Sequence, residues 1–252
     1  MTLLLHGVVR QDHPFVASGV PDELDVKLVE QDGLAVVVRE LADDEQLTED
    51  DGVSFLDVLV SAVQVGPVLP LRFGTVAPDA DSVRSEVLGP PAGDDLRARM
   101  DAIAELVEVR ITFTLNEDAL QTLFDEDAQL RAAASRGRPS ADMSERVELG
   151  RLVAERLAAQ RSHLVAEWVA ALDDVAEEAH TLSSSDEGWE QVAFLLRRER
   201  LGEMDSAVAT LSEEIDEQAL IDYVGPLPIY SFDPAASAAP AHAAAESSRW
   251  GF

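Results

Sequence analysis

Val107-Glu108-Val109-Arg110-Ile111-Thr112-Phe113-Thr114-Leu115 is the strongest strand signal in the chain. Val107, Val109, Ile111, Phe113 and Leu115 alternate with Glu108, Arg110, Thr112 and Thr114. A period of two puts the sets on opposite faces of a sheet, the apolar one toward a core. A domain boundary is placed just before this strand. Asn116 then suits a helix N-cap for a helix through about Ala134, and Gly137 and Pro139 make Ser135 to Ser140 a turn. From Ser144 to His180 the only Gly or Pro is Gly150, which predicts a helix of about 55 Å if continuous. Its stripe is Leu149, Val153, Leu157, Leu164, Trp168, Leu172 and Val175. After a break at Asp186-Glu187-Gly188, Trp189 to Leu196 reads as a strand, Gly202 to Ile215 as an amphipathic helix and Ala219 to Val224 as a final strand. The order strand, long helical insert, strand, helix, strand fits a split βαβ, ferredoxin-like layout with a modified first crossover.

Upstream, Leu3 to Val9 and Gly33 to Arg39 read as strands, Val26 to Val29 as another, and Asp32-Gly33 as a tight hairpin turn. Glu40 to Asp51 carries seven carboxylates in twelve residues and reads as a solvated loop entering a helix. Val53 to Val65 has apolar residues at 55, 56, 59, 60 and 63, which is helical spacing, and stops at Gly66-Pro67. Val68 to Val76 reads as an extended strand, with Pro70 arguing for an edge or an irregular end. Helices around Asp81 to Leu88 and Asp94 to Leu106 are parted by Gly89-Pro90-Pro91. The fold class is α+β in two domains, 1–105 and 106–232. An Ala/Pro/Ser-rich tail follows over 233–252, read as flexible. Its closing Arg249-Trp250-Gly251-Phe252 reads as a docking motif, a fold-back or an unselected end.

The 252 residues include 49 acidic and 19 basic side chains, for a formal charge of −30. Eighteen of the basic residues are arginine; the one lysine is Lys27. This field repels a phosphate backbone and an anionic bilayer, so neither nucleic acid nor membrane is expected as a partner. The absence of cysteine removes disulfides, thiolate nucleophiles and Cys-ligated metals. No apolar run approaches membrane-spanning length and the start lacks a signal-peptide pattern, so a cytoplasmic location is expected.

Chemistry is hard to find. The histidines are His6, His13, His163, His180 and His242, none spaced from another as helical metal ligands. Glu177-Glu178-Ala179-His180 is a single Glu-x-x-His, and His163 and Glu167 form a lone pair one turn apart; a solvated face accounts for both. There is no Gly-x-Ser-x-Gly, His-Glu-x-x-His or phosphate-binding Gly-rich loop. No cofactor, metal or catalytic residue is therefore assigned.

What does stand out is a pair of related segments. Val65-Gly66-Pro67-Val68-Leu69-Pro70-Leu71-Arg72-Phe73 echoes Val224-Gly225-Pro226-Leu227-Pro228-Ile229-Tyr230-Ser231-Phe232. Rigid Pro/Gly segments fix chain direction and present aromatic edges, whether the likeness is chance or duplication. The first, through Gly74-Thr75, resembles a signature of the gas vesicle GvpF/GvpL family. The second is similar to that family's C-terminal Gly-Pro-x-Pro-Pro-Tyr-Ser-Phe motif, with Leu227 and Ile229 departing from it. Leu5-His6-Gly7-Val8-Val9, Val107-Glu108-Val109-Arg110 and Ala193-Phe194-Leu195-Leu196-Arg197 resemble further strands of the family, in order, from about residue 3 to 232.

The resemblance implies two α+β domains, the second ferredoxin-like, in a non-enzymatic assembly factor or minor vesicle component. Its implied partner is the hydrophobic shell protein GvpA, alongside other vesicle proteins. The partner-binding candidates are Pro70, Arg72, Phe73, Gly225, Pro226, Pro228, Tyr230 and Phe232. Two other readings stand beside it: a ligand-binding or catalytic ferredoxin-like protein using Glu108, Arg110 or the His163/Glu167 pair, and a scaffold using the long helix as a coiled-coil partner. The acidity suits a soluble holder of an aggregation-prone partner. It also suits a salty cytoplasm or a high-GC genome that prefers Arg to Lys.

Overall fold

The structure is a computed structural model describing residues 2–42, 45–128, 131–132, 143–184 and 189–232. The expected turn at 135–140, the break at 186–188 and the tail with its Arg-Trp-Gly-Phe end lie outside the described residues. The chain divides into two compact units. The described residues up to Glu108 group with 226–232, and Val109–Gly225 form the other. The sequence division at 105/106 puts 226–232 with the second half; by compactness they join the first.

In the first unit, strands β1 (Leu3–Arg10), β2 (Lys27–Gln31), β3 (Leu34–Glu40) and β4 (Leu69–Pro70) form a sheet in the order β2-β3-β1-β4, and β5 (Val76–Ala77) also pairs with β1. Strand β1 pairs antiparallel with β3, β4 and β5, and β2 pairs antiparallel with β3. Asp32 and Gly33 close the β2–β3 hairpin with positive φ at both positions, 49° and 85°, the geometry of a type I′ turn. The central strands are apolar on both faces because both are covered. Leu3, Leu5, Val8, Leu34, Val36 and Val38 share one core with Val83, Leu88, Leu96 and Met100 of the segment after β5. On the other face lies helix α2 (Glu49–Val65), burying Phe55, Val58, Leu59, Ala62 and Val63. A shift in register between Leu5 and Gly7 lets β1 feed both cores.

The acidic loop earns its place at the start of α2. Thr48 and Asp51 form a reciprocal capping box, and Arg39 pairs with Asp51 at 2.8 Å and Glu45 at 3.1 Å. The Thr48 hydrogen bonds, aided by Arg39, hold the Asp51 carboxyl below its usual range. A short helix α1 (Pro14–Ser18) occupies the first Pro-containing break.

The second unit carries a four-stranded sheet ordered β7-β8-β6-β9, where β6 is Leu106–Leu115, β7 Glu178–Ser184, β8 Trp189–Arg197 and β9 Ala219–Leu227. Val109, Ile111, Phe113, Val192, Phe194 and Leu196 are fully buried or nearly so. Val165, Trp168 and Leu172 are buried as well, as are Met204, Val208 and Leu211 on helix α7 (Leu201–Glu214). The Phe113 and Trp168 rings sit 5.6 Å apart.

Several expectations change. The extended strand at 68–76 is two short strands with a turn between them. The helix at 81–88 is helix α3 (Ala80–Ser82) running into a π-helical stretch, Val83–Leu88, before helix α4 (Ala92–Ala102). Helix α5 (Glu117–Glu126), capped by the Asn116 side chain on the Ala119 N–H at 2.8 Å, stops where Asp127 turns extended. The long helix α6 is Met143–Ala170, and His180 lies in strand β7 instead. Helix-favouring Glu-Glu-Ala is overridden there by pairing of an edge strand with β8, and an exposed edge needs no apolar alternation to announce it.

Truncating Phe113 to Ala leaves a cavity beside Trp168 and should cost about 3–5 kcal/mol, read as a lowered urea midpoint with the slope unchanged.

Candidate functional site

Glu108 breaks the alternation of its strand. Arg110, Thr112 and Thr114 are half-buried, as their face predicts, but Glu108 is 0% exposed. A buried carboxylate has to be satisfied inside the protein. Its Oε2 accepts the backbone N–H groups of Tyr230 at 2.9 Å and Ser231 at 2.7 Å, and its Oε1 accepts the Ser231 hydroxyl at 2.8 Å. Charge-assisted bonds of this kind pin the 226–232 segment as a strap.

The strap meets the other Pro-containing segment. The Tyr230 hydroxyl reaches the Leu71 carbonyl at 3.5 Å, so the two related stretches come together within the first unit. Leu71 N–H donates to the His6 carbonyl at 2.9 Å, and the Leu5 N–H donates to the Thr75 carbonyl at 2.9 Å. Residues 72–75 therefore loop out between two points fixed on β1. The loop is a β-turn: Thr75 donates from its N–H (3.1 Å) and its hydroxyl (2.7 Å) to the Arg72 carbonyl, and Gly74 takes φ +85°. A side chain at that φ would be strained. The turn lifts Phe73 to 45% exposure, edge-on to Phe55 with centroids 5.3 Å apart. Phe55 stacks on His6 at 4.7 Å. His6 is 2% exposed with Nδ1 lacking a hydrogen-bond partner, and burial, reinforced by Arg39, lowers its pKa to about 4.

The partner-binding candidates separate by burial. Arg72 and Phe73 are exposed on the turn, whereas Pro70 lies buried in β4 opposite Gly7. Pro228 is buried; Pro226, Tyr230 and Phe232 are half-buried. Gly225 is exposed and ends the second unit, where a Cβ would come within 2.5 Å of Val109 Cγ1. The residues of the alternative reading are placed differently. Glu108 holds backbone, while His163 and Glu167 form an exposed pair at 3.6 Å. Sequence reading missed the exposed flank of α2 beside Phe73, since the apolar spacing at 55, 56, 59, 60 and 63 merges a buried face with an open one.

Two open cavities lie in the first unit. One of about 330 Å³ is lined by Arg10, Asp32, Arg97 and Asp101 among others, and one of about 520 Å³ by Arg10, His13, Gly66 and Asp101 among others. Their cationic groups are already engaged. Arg10 pairs with Asp101, Arg97 donates to Asp94 and the Asp32 carbonyl, and His13 takes the Phe15 N–H on Nδ1 while its Nε2 faces the Ala62 carbonyl at 3.2 Å. Among the described residues no three His, Asp or Glu side chains could hold a metal ion, and no helix is long and apolar enough to cross a membrane.

Fold and site together define a mixed α+β protein with antiparallel sheets, in which a buried carboxylate secures the 226–232 segment and a turn displays an aromatic ring. Residues 3–234 match the family model for gas vesicle synthesis protein GvpL/GvpF, and the chain belongs to that family. It is 25% identical over 239 residues to gas vesicle protein F of Streptomyces sp. (strain CB03234), across 92% of this chain and 99% of that one. The crystal structure of GvpF from Anabaena sp. PCC7120 superposes with a TM-score of 0.72 at 23% identity, covering 92% of this chain and 97% of that one. GvpF from Microcystis aeruginosa gives 0.71 at 19%, covering 92% and 98%. The protein's role is thus connected with gas vesicles.

Replacing Glu108 with Ala strands the donors of Tyr230 and Ser231 and should cost about 3 kcal/mol, with Gln costing less. Hydrogen exchange at both amides should accelerate in the same order. A second expectation concerns pH. The unfolded chain binds a proton at His6 near pH 6.5, which the fold refuses until about pH 4. The stability given by neutral His6 is therefore full above pH 6.5 and lost as pH falls toward 4, by roughly 3 kcal/mol. Urea unfolding of the parent chain and His6→Phe across this window should differ by that slope.

Proposed function

We propose that this chain is a non-enzymatic gas vesicle assembly factor or minor vesicle component that binds the shell protein GvpA and limits its aggregation as vesicles form. The observation that carries the reading is the braced turn at 72–75: a rigid support spends a glycine in the left-handed region to hold an aromatic ring partly in water, which solubility alone does not reward. An apolar, self-associating partner supplies a reason for it. Arg72 and Phe73 make the contact; Tyr230 buttresses it from behind; Pro70, Pro226, Pro228 and Phe232 shape the backbone around it, with Gly225 easing entry to the strap.

The −30 charge keeps the holder and its cargo dissolved. Such a protein works in the cytoplasm and at the vesicle, with GvpA and other vesicle proteins as partners and with no cofactor. The second unit is read as a modified ferredoxin-like, split βαβ domain. Support comes from the sequence of elements β6, α5, α6, β7, β8, α7, β9 and from the strand order β7-β8-β6-β9.

Co-expression with GvpA followed by sedimentation tests the role. More GvpA should stay in the supernatant with the parent chain than without it, and Phe73→Ser or Tyr230→Ala should reduce the gain at least several-fold. Equal pelleting with and without the parent chain defeats the reading.

A further inference from the structure

We infer that the open flank of α2, together with the Phe73 ring, is a docking strip for an amphipathic helix whose apolar face is edged by Lys or Arg. As a site for vesicle assembly the inference rests on the function proposed above; as a binding surface it stands on its own geometry.

At about 100° per residue, Gly52, Leu56, Val60 and Val53 fall within one sector about 100° wide on α2. Val53 is 60% and Leu56 52% exposed, and Val60 is half-buried. Phe73 borders this sector on one side. A Cβ on Gly52 would lie 4.0 Å from its Cε1 and Cζ, which places the ring directly over the glycine. Gly52 itself puts no side chain between the Phe73 ring and Leu56, which stands one turn further along the helix. Along the helix the strip runs about 12 Å, two turns, the spacing read by residues i, i+3/i+4 and i+7 of a partner helix.

The other border is acidic. Asp57 and Asp50 follow the apolar sector around the helix, and Glu49 closes the sector itself at the N-terminal end of α2. None of the three has a cationic partner among the described residues, whereas neighbouring Asp51 is consumed by the Thr48 cap and Arg39. An apolar strip with an unneutralised acidic margin selects a partner with a basic margin. It also argues against a second copy of this chain, which would bring the same three carboxylates to the same strip.

Gly52 makes the strip testable apart from folding. Glycine is a poor helix former, so any side chain there but proline favours α2, yet a large one crowds the Phe73 ring and reshapes the strip. Purified full-length chain is titrated, at physiological salt, into three fluorescein-labelled helical peptides of about 18 residues. One has a Leu face edged by Lys, one the same Leu face edged by Glu, and one the Lys edge with Ser replacing Leu. The Lys-edged Leu peptide should bind at least about tenfold tighter than either control. Gly52→Leu and Leu56→Ser should each lose about tenfold for it, while Gly52→Leu keeps or raises the thermal midpoint.

Equal affinity for the Lys-edged Ser peptide would reduce the effect to general charge attraction and overturn the inference. So would unchanged binding by both variants at full stability. Self-association of the parent chain, abolished by the same variants in sedimentation equilibrium, would hand the strip to a second copy and overturn the assignment. GvpA sedimentation separates the two readings. If parent and Gly52→Leu hold GvpA equally, the strip fails as the vesicle site and the assembly role stands. If the parent holds no GvpA while the Lys-edged peptide still discriminates, the assembly role fails and the strip stands.

Discussion

A carboxylate removed from water needs several donors, and Glu108 takes three of them from a segment 122 residues further along the chain. Two of those donors are backbone N–H groups, so the bond fixes where the main chain runs as well as where a side chain points. With that path set, the Tyr230 hydroxyl arrives beside Leu71, whose own N–H is bonded to His6 on the first strand. The turn carrying Phe73 is thereby held from β1 and flanked by the strap. Removing the charge at Glu108 would loosen this series at its origin.

Inward from the turn the rings run Phe73, Phe55, His6, from half-open to buried. The strand irregularity between Leu5 and Gly7 sits where this column ends. His6 occupies an interior site that suits an uncharged ring, stacked on Phe55 with one nitrogen unpaired. The column gives an exposed aromatic a rigid base, and it links surface geometry to the core of the first unit rather than to a mobile loop.

Much of this was legible in the residues. Val107 to Leu115 and the Asp32-Gly33 turn carry local signals, period two and left-handed turn residues, that need no distant partner; α2 begins at Glu49, inside the stretch read as a solvated loop, because the Thr48-Asp51 box went unread. Glu108 itself was visible; its role was not, because two of its three donors are backbone N–H groups, which any residues but proline at 230 and 231 could supply. Strand β7 was hidden since an edge strand of Glu, Ala, His and Thr has the composition of a helix surface. Leu56 and Val60 were read with the core because helical spacing groups neighbours 100° apart, and only the packing of Phe55, Leu59 and Val63 shows where the buried face stops.

The strands β6 and β9 lie side by side in one sheet, and each is where the chain crosses between the two compact units, at Glu108/Val109 and at Gly225/Pro226. The near contact of Gly225 with Val109 means that the second unit begins and ends at one place. In topological terms it is an insertion: a body spliced into a host whose own last residues come after it. Evolution could lengthen, trade or lose such a body without rerouting the host. The host, conversely, is complete only after the whole guest has been synthesised, so Glu108 waits through 121 intervening residues of translation for the backbone that satisfies it.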